Sequence, residues 1–191
     1  MPFFNIPAPL LPALALCGLL LAMPSAARAQ PLEAIGMTQA GNAAYAAGDF
    51  ATAARHFELA GRRGNRLAQF NLAMMLYRGE ARSAEANAGW RWLRRAAQAG
   101  LAQAQFQLAE RYAHGDGVRQ RMPTAAEWYR RAARQGHVEA QLALGTLYAD
   151  GRGLPQDTAA AVRWYRLAAG SGNAEAQARL SAMQARKAGG Q

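Results

Sequence analysis

Cysteine occurs once in the 191 residues, at Cys17, and lysine once, at Lys187. A single cysteine forms no intrachain disulfide, so packing alone must hold the chain together. Histidine is nearly as scarce: His56, His114 and His137 make no His-x-x-x-His pair, and one cysteine cannot complete a metal-binding spacing. No Gly-x-Ser-x-Gly elbow and no phosphate-cradling glycine loop occurs. Asp116 and Asp150 lack an evident carboxylate partner for acid–base work. These absences remove the common signatures of hydrolases, metalloenzymes and nucleotide binders, and the expectation is a non-enzymatic chain with no cofactor and no metal. Acidic side chains are also few, 12 against 22 basic, for a net charge of +10.

The apolar run from Leu10 to Met23 is broken by Pro12 and Gly18, whereas a bilayer span needs about 20 predominantly apolar residues. Residues 1–29 contain no acidic side chain and end in Ala27-Arg28-Ala29, a small-x-small site. The segment reads as a secretory signal peptide cut after Ala29, before Gln30, although residues 1–9 lack the usual positive charge. The expected location is therefore the periplasm or the exterior, with no integral-membrane part after cleavage. A transmembrane anchor and a lipid on Cys17 are the alternatives. Leu16 is large where a lipid-attachment site wants a small residue. Cleavage would remove Cys17 and Arg28, leaving no cysteine and 21 basic residues against 12 acidic.

What the sequence has in abundance is periodicity. Trp92, Trp128 and Trp164 recur every 36 residues, as do Gln69, Gln105, Gln141 and Gln177, then Leu72, Leu108, Leu144 and Leu180, then Gly64, Gly100, Gly136 and Gly172. A register held this long marks a structural repeat. Within one unit, Ala104, Leu108 and Tyr112 fall at helical spacing; Ala125, Trp128, Tyr129 and Ala132 do so again after a Gly-containing gap. Each unit is thus expected to be a helical hairpin. Alanines beside large Leu, Tyr and Trp let its two helices approach closely, and stacking completes a core that no single hairpin can bury.

At these residues the unit resembles the Sel-one-like repeat (SLR), a relative of the tetratricopeptide repeat. That pattern runs roughly A-x-A-Q-x-x-L-G-x-x-Y-x-x-G-x-G and then A-x-x-W-Y-x-x-A-A-x-x-G. The best match is AQLALGTLYADGRGLPQDTAAAVRWYRLAAGSG, residues 140–172, with residues 101–136 close behind. The resemblance implies an all-α, right-handed α-solenoid of stacked hairpins and a role in holding a protein partner. Cysteine-rich relatives associated with β-lactam or peptidoglycan-precursor binding carry repeated disulfides that this chain lacks.

In chain order the expectation is a signal peptide (1–29), a degenerate tetratricopeptide-like hairpin (30–64), three repeats (65–100, 101–136, 137–172), a capping helix (173–187) and a frayed tail (188–191). Residues 30–37 show no readable structure. Asn65 and Asp157 are placed as helix N-caps, and Pro123 starts the helix where Arg121 takes the slot of Asp157. The turn at Gly79-Glu80-Ala81 lacks the second glycine seen as Gly117 and Gly153, so it should take another shape.

Residues sharing one slot in every repeat are most simply structural, so function is sought where slots differ. On the first helix of each unit, the side away from its hairpin partner carries Leu67, Phe70, Met74, Tyr77 and Arg78, then Gln103, Phe106, Glu110 and His114, then Glu139, Leu142, Thr146 and Asp150. In tetratricopeptide-type stacks this side lines the concave groove. The partner-binding candidates are Phe70, Met74, Tyr77, Arg78, Phe106, Glu110, His114, Thr146 and Asp150, for a protein or peptide ligand. The opposing reading has the recurring Phe70, Phe106 and Leu142 simply packing on the preceding hairpin. The second helices carry Arg91, Arg94, Arg95, Arg130, Arg131, Arg134, Arg163 and Arg166 as a basic outer strip. Such a strip is a solvated face or meets an anionic lipid or polymer surface of the cell envelope. Nucleic acid fits the charge but not an exported chain. A cell-wall-linked hydrolase is the remaining alternative.

Overall fold

A computed structural model describes residues 25–85 and 87–189, and among these it contains nine α-helices and no strand. They are α1 (Ser25–Ala46), α2 (Phe50–Arg62), α3 (Arg66–Arg78), α4 (Ala88–Gln98), α5 (Ala102–His114), α6 (Met122–Arg134), α7 (Val138–Asp150), α8 (Thr158–Gly170) and α9 (Ala174–Gly189). The expected signal segment lies outside the described residues up to position 24. From Ser25 the backbone is helical, so residues 30–37 belong to α1.

Extensive packing joins only helices adjacent in the chain: α1 with α2, α3 with α4, α5 with α6 and α7 with α8 as hairpins, each hairpin then meeting the next. The molecule is a right-handed α-solenoid of 36-residue repeats. Close approach comes from small residues on the contact faces. Ala53, Ala60, Ala68, Ala73, Ala96, Ala104, Ala109, Ala125, Ala132 and Ala140 are all fully buried. Large side chains fill the gaps between them in four linked clusters, centred on Phe57 and Met75, on Leu93 and Leu108, on Tyr129 and Leu144, and on Tyr165 and Leu180. Trp92 and Trp128 each contribute to two successive clusters.

The recurrent glutamines bolt one hairpin to the next. Gln69, Gln105 and Gln141 are buried, and each donates its Nε2 to a carbonyl near the end of the preceding second helix: Gly61 at 2.9 Å, Ala97 at 3.1 Å and Ala133 at 3.2 Å. Each satisfies an acceptor that the helix terminus would leave open.

Helix starts follow local chemistry. Asn65 and Asp157 accept from the backbone N–H of Ala68 and Ala160 at 3.0 and 2.8 Å, and Asn173 does the same for Ala176 at 2.9 Å. Pro123 sits in the first turn of α6. The α3–α4 connection occupies residues 79–87, against 115–121 and 151–157 in the later hairpins. It thus delays α4 and ends on Asn87, which at φ 58° is the sole non-glycine with positive φ among the described residues. In the last hairpin Gly153 is required twice over. Its φ is +73°, and a Cβ there would lie 2.6 Å from the Met122 carbonyl carbon.

The final helix extends beyond the expected 187 to Gly189, with residues 190 and 191 outside the described range. It has no second helix across it. Where Ala109 and Tyr112 face α6, the corresponding positions of α9 are Ser181 and Gln184, both exposed.

Candidate partner-binding surface

The sequence-derived candidates fall into three settings. Phe70, Phe106 and Leu142 are partly buried and pack forward, not back. Phe70 joins the cluster of Leu93, Ala104 and Leu108, Phe106 that of Tyr129, Ala140 and Leu144, and Leu142 that of Tyr165, Ala176 and Leu180. Phe106 stacks on the ring of His137, centroids 4.5 Å apart and planes 20° from parallel. The backward side of each first helix is already occupied by the glutamine bolt, which is why the expected packing on the preceding hairpin does not occur.

Met74, Glu110 and Thr146 share one slot and differ because their partners differ. Met74 packs on the cluster containing Leu93. One repeat later the Tyr129 hydroxyl donates to the Glu110 carboxylate, and after another the Tyr165 hydroxyl donates to Thr146 Oγ1 at 3.1 Å. Leu93, Tyr129 and Tyr165 are themselves one slot, so an apolar pair alternates with two hydrogen-bonded pairs. Burial, then the bond to Glu110 and its charge, hold the Tyr129 phenol well above the ordinary tyrosine range. It is a hydroxyl donor at any physiological pH.

Tyr77, Arg78, His114 and Asp150 lie at the C-terminal ends of their helices and keep most of their reach into solvent. Arg78 donates to the Tyr45 hydroxyl at 3.1 Å, and Tyr45 donates to Glu80 at 3.2 Å, tying the first hairpin to the second. The His114 ring sits against its own helix, Nδ1 2.9 Å from the Glu110 carbonyl oxygen and 3.7 Å from its carboxylate. Asp150 is exposed.

Tyr77 is 37% exposed and lies in the most irregular part of the stack. The Arg111 guanidinium covers its ring at 3.5 Å, the backbone of Gly89 closes its edge, and Arg111 pairs with Asp116 at 2.7 Å. Burial raises the Tyr77 phenol above its usual range, with Arg111 opposing. A pocket of about 490 Å³ opens beside it, bounded by Tyr77, Trp90, Arg111 and residues 81–87. Arg111 Nε is buried there without a hydrogen-bond partner among the described residues.

Trp90 and Arg111 were absent from the sequence-derived set, yet a signal for them existed. Tyr77 stands where the next units have Ala113 and Ala149, Gly89 where they have Ala125 and Ala161, Trp90 where they have Ala126 and Val162, and Arg111 where its neighbours have Met75 and Leu147. Four slots break the pattern together. The loss of a methyl at Gly89 makes room for the gain of a ring at Tyr77.

On the opposite side Arg91, Arg94, Arg95, Arg131, Arg134, Arg163 and Arg166 are exposed and Arg130 is half-buried. Arg95 and Arg131 lie flat over Trp92 and Trp128, at 4.9 and 4.5 Å. Among the described residues no three His, Cys, Asp or Glu side chains gather as a metal site, and no helix is long and apolar enough to cross a membrane.

No curated protein matches the chain. Among solved structures it is similar to the Sel1 repeat protein from Oxalobacter formigenes, with 37% identity over 65% of this chain and 94% of that one and a TM-score of 0.63. It is also similar to c5321, a protective antigen present in uropathogenic Escherichia coli strains and displaying an SLR fold. That match has 31% identity over 81% of this chain, at a TM-score of 0.69. The chain spans 33% of that antigen's length. Helicobacter pylori cysteine rich protein B shares the fold at 19% identity, over 69% of this chain and 95% of that one, with a TM-score of 0.55. The Sel1 repeat family model matches residues 66–101, 102–137 and 138–173. With three consecutive matches over more than half of its length, the chain belongs to the Sel1 repeat family.

Proposed function

We propose that this chain is an exported, non-enzymatic scaffold of the bacterial cell envelope that holds a protein partner along the exposed side of its first helices. Sel1 repeat proteins are generally protein-interaction scaffolds. The observation that carries the finer reading is Tyr77, a large aromatic left 37% exposed beside a pocket of about 490 Å³. Exposed aromatics at the edge of a preformed pocket are the usual anchors of protein interfaces. The Arg111 and Gly89 contacts hold the ring in place, so binding orders little of this protein. Arg78, His114 and Asp150 continue the surface with charge that changes sign along the stack.

Cross-linked capture from envelope extract tests this. Tyr77→Ala and Arg78→Ala should each release the captured protein while the helical circular-dichroism signal is unchanged. Capture unaffected by both would remove this surface from the function. Met74→Glu is a poorer probe, because Met74 packs on the Leu93 cluster and its replacement tests folding first.

The arginine strip supports a second reading, contact with an anionic envelope lipid or polymer. Its stacked Arg95 and Arg131 leave guanidinium edges free for acceptors. Retention of anionic vesicles at low salt and loss at high salt, insensitive to Tyr77→Ala, would favour it.

A further inference from the structure

Between α2 and α4 the stack leaves a groove of about 1020 Å³, floored by Gln69, Leu72 and Leu76 of α3 and closed at one end by residues 82–85. It lies on the side of the second helices, away from the surface proposed above. Five arginines reach it. Arg62 is paired with Glu58 at 2.6 Å and Arg91 with Glu85. Arg55, Arg82 and Arg95 have no carboxylate within ion-pair distance among the described residues, and Arg95 lies over the Trp92 ring. The groove therefore carries three unneutralised guanidinium groups.

Its floor also holds an unsatisfied acceptor. Gln69 is 6% exposed; its Nε2 is engaged by the Gly61 carbonyl, and its Oε1 is buried with no donor. The next repeat shows what that atom needs. Gln105 Oε1 accepts from Gln135 Nε2 at 2.7 Å. The residue corresponding to Gln135 one repeat earlier is Ala99, which has nothing to donate. Gln141 Oε1 is likewise open, but only at Gln69 does the open acceptor face a groove ringed by free arginines.

We propose that this groove binds an extended acidic peptide segment. A backbone N–H of the peptide would donate to Gln69 Oε1, and Asp or Glu side chains would take Arg55, Arg82 and Arg95. The pairing of a donor with anions selects this ligand. Phosphate oxygens only accept, so a polyphosphate leaves Gln69 Oε1 unsatisfied. A flat bilayer cannot reach a floor residue that is more than nine-tenths buried.

The test uses the full chain and a fluorescein-labelled octapeptide, Gly-(Asp-Glu)3-Gly, followed by anisotropy at low and moderate salt. Arg55→Ala with Arg82→Ala should weaken binding at least about tenfold, since each removes a charge-assisted contact. Arg130→Ala with Arg134→Ala removes the same charge from α6 and should change it less than about twofold. Ala99→Gln should weaken it about fivefold without altering net charge, by supplying internally the donor that Gln135 gives Gln105. Equal losses from the two arginine pairs would reduce the effect to net charge and overturn the site, as would absence of peptide binding. An Ala99→Gln protein with normal helical signal and unchanged affinity would remove Gln69 from it. Polyphosphate or phosphatidylglycerol vesicles displacing the peptide from the wild type but not from the Arg55/Arg82 variant would assign the groove to a different anion. Because Tyr77 lies outside the groove, Tyr77→Ala leaves all of these readouts in place, and the two surfaces fail or stand separately.

Discussion

His137 shows how much one side chain can do in a stack. It caps α7, its Nδ1 accepting from the Ala140 N–H at 3.3 Å, while its Nε2 meets Gln103 Oε1 at 3.2 Å and its ring stacks on Phe106. The cap requires an unprotonated Nδ1. Burial, in a setting where the side chain is only 10% exposed, lowers its pKa below the ordinary 6.5; the Glu139 carboxylate at 3.3 Å pulls the other way but is well solvated. The unfolded chain thus takes up this proton at a higher pH than the folded one. Stability from this site is fully present above about pH 6.5 and falls as the pH drops below it toward the folded pKa. Losing the cap costs about 1 kcal/mol. Thermal melts from pH 7.5 to 5 should show a decline that flattens in His137→Asn, which caps without titrating; parallel curves would rule the device out. At this scale the sequence was partly legible. Asn65 and Asp157 announced themselves as caps because Asn and Asp favour that role on their own, whereas a histidine caps only when its neighbours fix its tautomer.

Element-scale variation answers to pairing within the hairpin. Met74 with the Leu93 cluster, Glu110 with Tyr129 and Thr146 with Tyr165 are three solutions to one contact between the first and second helix. Changing one partner alone should therefore cost more than changing both. Tyr129→Leu leaves the Glu110 carboxylate without its donor, a loss of about 1–3 kcal/mol. Glu110→Met added to it recreates the upstream pair and should recover much of that, giving a coupling of about 0.5–3 kcal/mol in denaturant melts. Strict additivity would show that the two positions do not sense each other. The helices were legible from their periodicity and the hairpins from the glycine-containing gaps between them. The pairing was not, because slot-by-slot reading compares a residue with its counterparts 36 positions away and never with its partner 19 positions on. The same blindness hid Arg111 and Trp90, each of which departs from its own slot in concert with Tyr77 and Gly89.

At the scale of the molecule the governing fact is that extensive contacts join only neighbouring helices. The number and order of units could be read from the 36-residue register. The direction in which each unit leans could not, because Phe70, Phe106 and Leu142 fill the same slot whichever neighbour they touch, and only the glutamine bolts on the backward side force them forward. In such a stack a local defect should weaken its own hairpin and the adjoining ones more than the distant end. Trp128 is the residue to test, since it contributes to the cluster of Leu93 and Leu108 behind it and to that of Tyr129 and Leu144 ahead. Trp128→Ala should cost about 3–5 kcal/mol. In amide exchange the loss of protection should be greatest in α4 through α7 and smallest in α9, three helices beyond the substitution. A uniform loss along the chain would mean that the stack unfolds as one cooperative unit, and that the couplings between hairpins exceed the stability of any hairpin within it.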